Sequence, residues 1–306
     1  MKQLEFTITE EFENERIDKY LSEFIDSFSR SFLQKLIDQN DISVNGKSVK
    51  PSYRLKIEDD IQVNVPESIV PDIKPEDIPL DILYEDDDVI VINKPKGMVV
   101  HPAPGNYEHT LVNALMYHCG SSLSGINGVL RPGIVHRIDK NTTGSLIICK
   151  NDISHQKIAD ALKTHDITRK YHAIVHGIIN EENGTIKTLI GRSQNDRTKM
   201  AVVPAGGREA VTHFKVLERF NGYTYVECEL ETGRTHQIRV HMAHINHPVL
   251  GDDKYCTLKN PFKLEGQCLH AKILGFEHPR TGEHIMTDAP LPEYFTHLLD
   301  VLRKNK

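Results

Sequence analysis

Four prolines fall within fifteen residues, in PESIVPDIKPEDIPL (Pro66, Pro71, Pro75 and Pro79). Each removes a backbone donor and fixes φ, so neither a helix nor the centre of a sheet can run through this stretch. The chain of 306 residues is thereby divided. Residues 1–75 are expected to form a small domain with its linker, and residues 76–306 a larger one. Acidic residues crowd the same place. Positions 67 to 88 hold nine acids against the single base Lys74, so this segment carries −8 and the rest of the chain +2, within a total of −6. A solvated linker is the expected state of such a run. The acidic total does not exclude a polyanionic partner, because phosphate responds to local patches.

Both parts can form a core: 39% of the residues are hydrophobic and 26% charged. No run of about eighteen apolar residues suggests a membrane span, and the acidic start MKQLEFTITEEFENERID lacks the apolar stretch of a secretory signal. Cys119, Cys149, Cys228, Cys256 and Cys268 never form a C-x-x-C pair. Reduced thiols and a cytoplasmic location are the expectation.

In the small part, Ile17, Tyr20, Leu21, Phe24 and Ile25 recur at helical spacing. Asn14 or Glu15 stands where a cap is wanted. Phe32, Leu33, Leu36 and Ile37 mark a second helix, with Ser29 or Ser31 as its cap. Ile42 and Val44 then alternate up to Asn45-Gly46, a pair that tolerates positive φ and signals a hairpin. Ile61, Val63 and Val65 make a further strand. Among the bases of this module, Arg30, Lys35 and Lys47 lie at the second helix and the hairpin.

The larger part mixes strands (89–93, 134–137, 145–150, 171–177, 211–217, 223–230) with helices (111–118, 152–164, 235–244). No regular strand–helix–strand alternation appears, which points to α+β with a mixed, mainly antiparallel sheet, next to a small α/β module at the N-terminus.

Four segments carry chemistry-bearing residues. GIVHRIDKNTTGSLIICK reads as a strand, a loop holding His136, Arg137 and Asp139, a turn at Gly144 and a second strand. A carboxylate between two core strands sits on a rigid scaffold and can still reach a ligand. LETGRTHQIRVHMAHINHPVLGD reads as a strand ending at Leu230, a tight turn at Gly233 and a helix from Thr235. Its stripe is Ile238, Met242 and Ile245. Arg239 lies off that stripe, and Arg234 stands at the helix start, where free N–H groups favour an anion. His236, His241, His244 and His247 lack the spacing and companions of a zinc site, so no metal is expected. In NKPKGMVVHPAPGN, Lys94 to Gly97 is turn chemistry. In TRKYHAIVHG, Tyr171 alternates with Ala173 and Val175 as a core strand residue would.

Taken in order, NKPKGMVVHP, HRIDKNTTG, RKYHAIVHG and GRTHQIRVHMAHINHP resemble the RluA group of RNA pseudouridine synthases, in its RluD-like branch. The stretch from RIDKYL through SRSFLQKLI to VNGKSVKPSYRL is similar to the small RNA-binding domain named after a ribosomal small-subunit protein. The resemblance implies an isomerase that breaks the bond from ribose to uracil nitrogen, turns the ring and joins a ring carbon to the same sugar, without a cofactor. It implies Asp139 as the catalytic aspartate, Arg239 as its partner and Tyr171 as the residue stacking on the base. Arg137 would fill the gap left by the everted uridine, with His136, Arg234, Thr235 and His236 binding substrate around it. Arg30, Lys35 and Lys47 would grip RNA. The expected substrate is large-subunit ribosomal RNA, with the protein a monomer and no membrane or nucleotide cofactor involved. The competing expectation is an inactive ribosome-assembly factor that only binds RNA. Ile138 and Thr143 depart conservatively from the pattern, and DKYCTLKNPF after Gly251-Asp252 departs further.

Overall fold

Helical spacing of Ile17, Leu21, Leu33, Leu36 and Ile37 produces two short helices whose apolar faces meet over a small sheet. In the computed structural model, which describes residues 2–25, 28–65, 73–103, 105–120, 122–128 and 131–305, the chain forms two units, 1–70 and 71–306. The first has strand β1 (Lys2–Thr7), helices α1 (Ile17–Phe24) and α2 (Arg30–Asp38), and strands β2 (Ile42–Val44), β3 (Lys47–Ser48) and β4 (Asp60–Val65). The strand order is β1-β4-β2-β3, all antiparallel. Asn45 and Gly46, with φ of 51° and 71°, make the β2–β3 turn as read. Ser29 caps α2 by accepting from the Phe32 N–H. Neither Asn14 nor Glu15 caps α1. Asn14 turns at φ 67° instead, and Arg16 takes the cap position with its guanidinium on Asp18, 2.9 Å away.

The second unit contains β5 (Ile82–Glu85), β6 (Val89–Lys94), α3 (Leu111–Cys119), β7 (Thr143–Cys149), α4 (Asp152–Thr164), β8 (Thr168–His176), β9 (Asn183–Arg192), β10 (Met200–Val202), β11 (Arg208–Phe220), β12 (Tyr223–Leu230), α5 (Gln237–His244), β13 (Leu269–Glu277), β14 (His284–Asp288) and α6 (Glu293–Lys304). One sheet runs β10-β9-β11-β12-β8-β13-β7-β6-β5, with β14 added on β13. Among the described residues only β13 and β7 pair in parallel, so the architecture is α+β with a mainly antiparallel sheet. The apolar runs in β6 and β7 are explained by cover on both faces. Ile90, Ile92, Leu146 and Ile148 pack with Leu111 and Leu115 of α3, whereas Val89, Val91, Ile147 and Cys149 pack with Ile158 of α4. Each such side chain contributes roughly 1.5–3 kcal/mol on burial.

Several sequence expectations need correction. Residues 134–137 are not a strand: Ile134 makes a single bridge to Ile148. The His136 ring then takes the next ladder position, its Nε2 accepting from the Ile147 N–H at 3.2 Å. Gly144 is no turn. It lies within β7 at φ 105°, where any Cβ would run into the Ala271 carbonyl, so glycine permits the seam at which β7 meets β13. The helix expected from Thr235 begins at Gln237, because His236 turns the chain at φ 57°. Gln237 Oε1 accepts from the Arg234 N–H at 2.9 Å, so Arg234 precedes the helix by a turn. Finally, the acidic run is not all linker. Residues 66–72, with Pro66 and Pro71, lie outside the described residues, and Pro75 and Pro79 are irregular backbone. Beyond them β5 forms, Glu85 bonds Lys150 at 3.0 Å, and Asp88 holds Arg280 through two bonds of 2.6 and 2.8 Å.

Candidate active site

Asp139 comes from the irregular segment between Ile134 and β7, and Arg239 from the first turn of α5. They meet across 100 positions of sequence: Arg239 Nη1 donates to Asp139 Oδ2 at 2.8 Å. The other edge of the guanidinium is taken by a second carboxylate, Asp252, through Nε at 2.6 Å and Nη2 at 2.8 Å. Tyr255 covers Arg239, with its ring centroid 5.1 Å from Cζ. Arg239 and Asp252 are both buried, whereas the Asp139 carboxylate keeps part of its surface open. Burial opposes charge on each of the buried pair. Their mutual bonds outweigh it, holding Arg239 above the usual guanidinium range and Asp252 below the usual carboxylate range. Asp252 thus neutralises and orients Arg239, which spares one Asp139 oxygen for other work.

That oxygen, Oδ1, lies 3.7 Å from His236 Nε2. The Nδ1 of the same ring meets the Tyr255 hydroxyl at 2.7 Å, and that hydroxyl accepts from the Met200 N–H at 2.9 Å. Burial lowers the His236 pKa, partly offset by Asp139, which favours a neutral ring. The left-handed turn at His236 is therefore what aims the imidazole at the carboxylate.

Asp139, Tyr171 and Arg239 line one open cavity of about 610 Å³, together with His136, Arg137, Arg234, Thr235 and His236. Tyr171 is 8% exposed on β8 and packs in the main core, as a core tyrosine would, while also lining the cavity. Burial raises its hydroxyl pKa, opposed by the nearby Arg169 charge. Arg137 and Thr235 are exposed, and Arg137 Nη1 reaches His101 Nε2 at 3.5 Å. His136 is pushed to about 3 by burial and by Arg169, which keeps it neutral as an acceptor. Arg234 donates from Nε to the Glu209 carbonyl at 2.8 Å.

Lys94, read from sequence as turn chemistry, is instead fully buried. Its ammonium donates to the carbonyls of Pro95, Met98 and Lys140 at 2.8, 2.9 and 3.0 Å, tying β6 to the residue after Asp139. Burial pushes its pKa down to about 7, with Asp139 opposing. Asp252 and Tyr255 were also missed. They lie in or beside the segment that departs from the family pattern, and no local spacing marks a partner 13 positions from Arg239. The four histidines at 236, 241, 244 and 247 do not converge: His241 spends its nitrogens on Thr188 and Thr212, and His247 Nδ1 meets the His176 carbonyl. Asp86, Asp88 and His278 do bring metal-type donors together, but Arg280 already neutralises Asp88.

In the small unit, Lys35 and Lys47 are exposed. Arg30 is also exposed, and its guanidinium is bonded to buried Asp18 at 3.0 and 3.1 Å. Asp18 further accepts from Arg16 and Gln34, so Arg30 joins the two helices as well as facing solvent.

A carboxylate fixed beside a guanidinium, in an open cavity also lined by arginines and a tyrosine, can stabilise positive charge that develops on a ligand, and the arginines can hold an anionic one. Residues 88–244 match the family described as RNA pseudouridylate synthase, and residues 15–61 match the S4 domain. The chain is 52% identical over 305 residues, covering 100% of both chains, to the uncharacterized RNA pseudouridine synthase YlyB of Bacillus subtilis. It is 44% identical to ribosomal large subunit pseudouridine synthase D of Zymomonas mobilis, over 97% of this chain and 96% of that one. The solved structure of human RNA Pseudouridylate Synthase Domain Containing 1 superposes with TM-score 0.57 at 25% identity, over 74% of this chain and 95% of the other. The chain belongs to the RNA pseudouridylate synthase family. It is an isomerase of uridine in RNA with an N-terminal S4 domain.

Proposed function

We propose that this enzyme converts uridine to pseudouridine in large-subunit ribosomal RNA, the substrate named for its Zymomonas relative, and that Asp139, Tyr171 and Arg239 carry the chemistry. The observation that bears most weight is the 2.8 Å bond from Arg239 to Asp139 at the cavity wall. Cleaving the glycosidic bond builds positive character on the sugar, and an anion held in place stabilises it. Asp139 supplies that anion, and its free oxygen serves equally for attack on the sugar or removal of an adjacent proton. Arg239, neutralised by Asp252, keeps the carboxylate ionised and aimed. Tyr171 stacks on the uracil while the ring turns, and its protonated hydroxyl is available for proton movement.

Reaching a stacked uridine requires everting it, at a cost of roughly a few kcal/mol. Exposed Arg137 fills the gap with its planar guanidinium, and His136, Arg234, Thr235 and His236 line the nucleotide's path. In this reading residues 1–75 are the RNA-binding domain and linker, gripping structured RNA through Arg30, Lys35 and Lys47, and residues 76–306 are the catalytic domain. The protein works as a monomer in the cytoplasm without a cofactor. The test is incubation of purified protein with ribosomal RNA from a strain lacking the gene, followed by mapping of pseudouridine. New pseudouridine in large-subunit RNA is expected. RNA that is bound but unmodified would overturn the proposal.

A further inference from the structure

Arg169 is a cation that the chemistry above leaves unused. It precedes Tyr171 by two positions on β8, so the two side chains leave the same face of the strand, and both line the cavity. Only 6% of Arg169 is exposed. Nη2 donates to the Glu231 carbonyl at 2.8 Å, while Nε has no hydrogen-bond partner. Gly233 makes room for the remaining nitrogen: a Cβ there would come within 2.7 Å of Nη1. The backbone thus holds the guanidinium in place without meeting its charge.

Two more guanidiniums share that wall. Arg208 and Arg234 line the same cavity, and among the described residues none of the three makes an ion pair. Besides burial, Arg208 and Arg169 each disfavour the charge on Arg234, and the Glu209 carboxylate offsets this only in part, the shift remaining downward. Arginine does not deprotonate in proteins, so a bound anion would relieve the repulsion that is left. Guanidinium forks match phosphate oxygens in geometry and charge.

We propose that Arg169, with Arg208 and Arg234, forms a phosphodiester subsite that grips an RNA phosphate adjoining the everted uridine. This rests on the reading of the cavity as the uridine site. The subsite converts backbone attraction, which is sequence-independent, into placement of one nucleotide against Asp139.

The experiment compares binding of uridine 3′,5′-bisphosphate and of uridine to the full-length protein at low salt, by titration calorimetry or ligand-observed NMR. Wild type is expected to prefer the bisphosphate at least tenfold. R169M should bring the preference close to one, and R169K should keep part of it. Should R169M fail to fold, the R208A/R234A double variant carries the same test and should lose most of the preference. Equal binding of the two ligands by wild type, or an undiminished preference in the variants, overturns the subsite. So does an R169M enzyme whose kcat falls while KM for RNA and the bisphosphate preference stand, a result that would assign Arg169 to tuning Tyr171. Pseudouridine formation by wild type on ribosomal RNA, measured in parallel, separates the two readings. If the product forms but the preference is absent, the subsite alone fails. If no product forms, the reading of the cavity fails.

Discussion

Asp139 and Asp252 bind the same guanidinium, yet replacing each with asparagine should have opposite consequences. Asp252 accepts two bonds from Arg239, at 2.6 and 2.8 Å, and two more from the backbone N–H groups of Lys254 and Tyr255 at 2.9 and 3.1 Å. Both charges are 3% exposed or less. Breaking such a buried pair by removing one partner costs about 3–5 kcal/mol. In a domain of this size each kcal/mol moves the melting temperature by about 2–4 °C, so D252N should melt about 6–20 °C lower. Asp139 is part-exposed and makes one of the guanidinium's three close bonds. Its loss leaves Arg239 with a counter-ion, and the cost should stay near 1 kcal/mol, or below about 4 °C. Activity should invert this order. D139N removes the anion from the reacting centre and should lower turnover by about 10³-fold or more, equivalent to roughly 4 kcal/mol of transition-state stabilisation. D252N, assayed below its melting point, should retain measurable turnover. Circular dichroism melts and tritium release from RNA labelled at uracil C5 report the two quantities separately. D252N melting with wild type would refute the division of labour, as would D139N melting as low as D252N.

Replacing Lys94 with methionine takes the donor from the Pro95 and Met98 carbonyls, at about 1–3 kcal/mol each, and leaves the Lys140 carbonyl with the Gly97 N–H alone. A large fall in denaturation midpoint and a loss of turnover should appear together, and an unchanged midpoint would contradict the tether. G144A forces a Cβ against the Ala271 carbonyl at φ 105°, so soluble yield should collapse, whereas normal yield with full activity would show that the β7–β13 seam can shift. His241 and His270 are buried, and burial, the largest cause for each, holds their pKa values near 4. The unfolded chain takes up protons first as pH falls below about 6.5, so their contribution, complete above that pH, is lost towards pH 4 at up to about 3 kcal/mol per pH unit for the pair. Urea denaturation at pH 7.5, 6 and 5 reads this, and a flat profile would refute it. Alanine at Lys35 and Lys47 should each reduce the salt dependence of RNA binding by about one unit of slope, measured by fluorescence anisotropy; R30A should in addition loosen the helix pair by removing one of the two guanidiniums on buried Asp18.

Elements with strong local signals were legible residue by residue. α4 begins after Asn151, whose side chain accepts from the Ser154 N–H, and β12 carries Tyr223, Tyr225, Val226, Cys228 and Leu230 among its eight residues; both have the ends read from sequence. Where the reading failed, a distant partner decided the local structure. The run at 134–137 has strand composition, but the His136 ring occupies the backbone position a strand would use. Gly144 has turn composition, but the approach of Ala271 keeps it in a strand. The candidate site divides the same way. Its motif residues were readable through family resemblance, and all eight assigned to the catalytic part line one cavity. Lys94, Asp252 and Tyr255 were not. A buried lysine and an exposed one have the same letter, and only the fold reveals that three carbonyls surround this one.

These tethers also explain how an irregular segment can hold a reacting group in place. Asp139 belongs to no helix or strand, yet its neighbourhood is tied at every step. Its own carbonyl accepts from the Thr142 N–H at 3.0 Å, and the Lys140 carbonyl accepts from both Lys94 and the Gly97 N–H. Thr142 in turn accepts from buried Gln267 at 2.9 Å, and the Asp139 carboxylate meets Arg239. The partners come from β6, α5 and the loops beside them, and Lys94, Thr142, Gln267 and Arg239 are buried, where electrostatic interactions are strong and a misplaced partner is costly. Of the contacts proposed for RNA, Arg169 is buried, whereas Arg137, Thr235 and Arg208 are exposed, so substitution of these three costs the fold little. The choice of uridine can therefore change through the rim while the buried Arg239–Asp252 pair, on which folding depends, keeps the part-exposed Asp139 carboxylate in place for the chemistry.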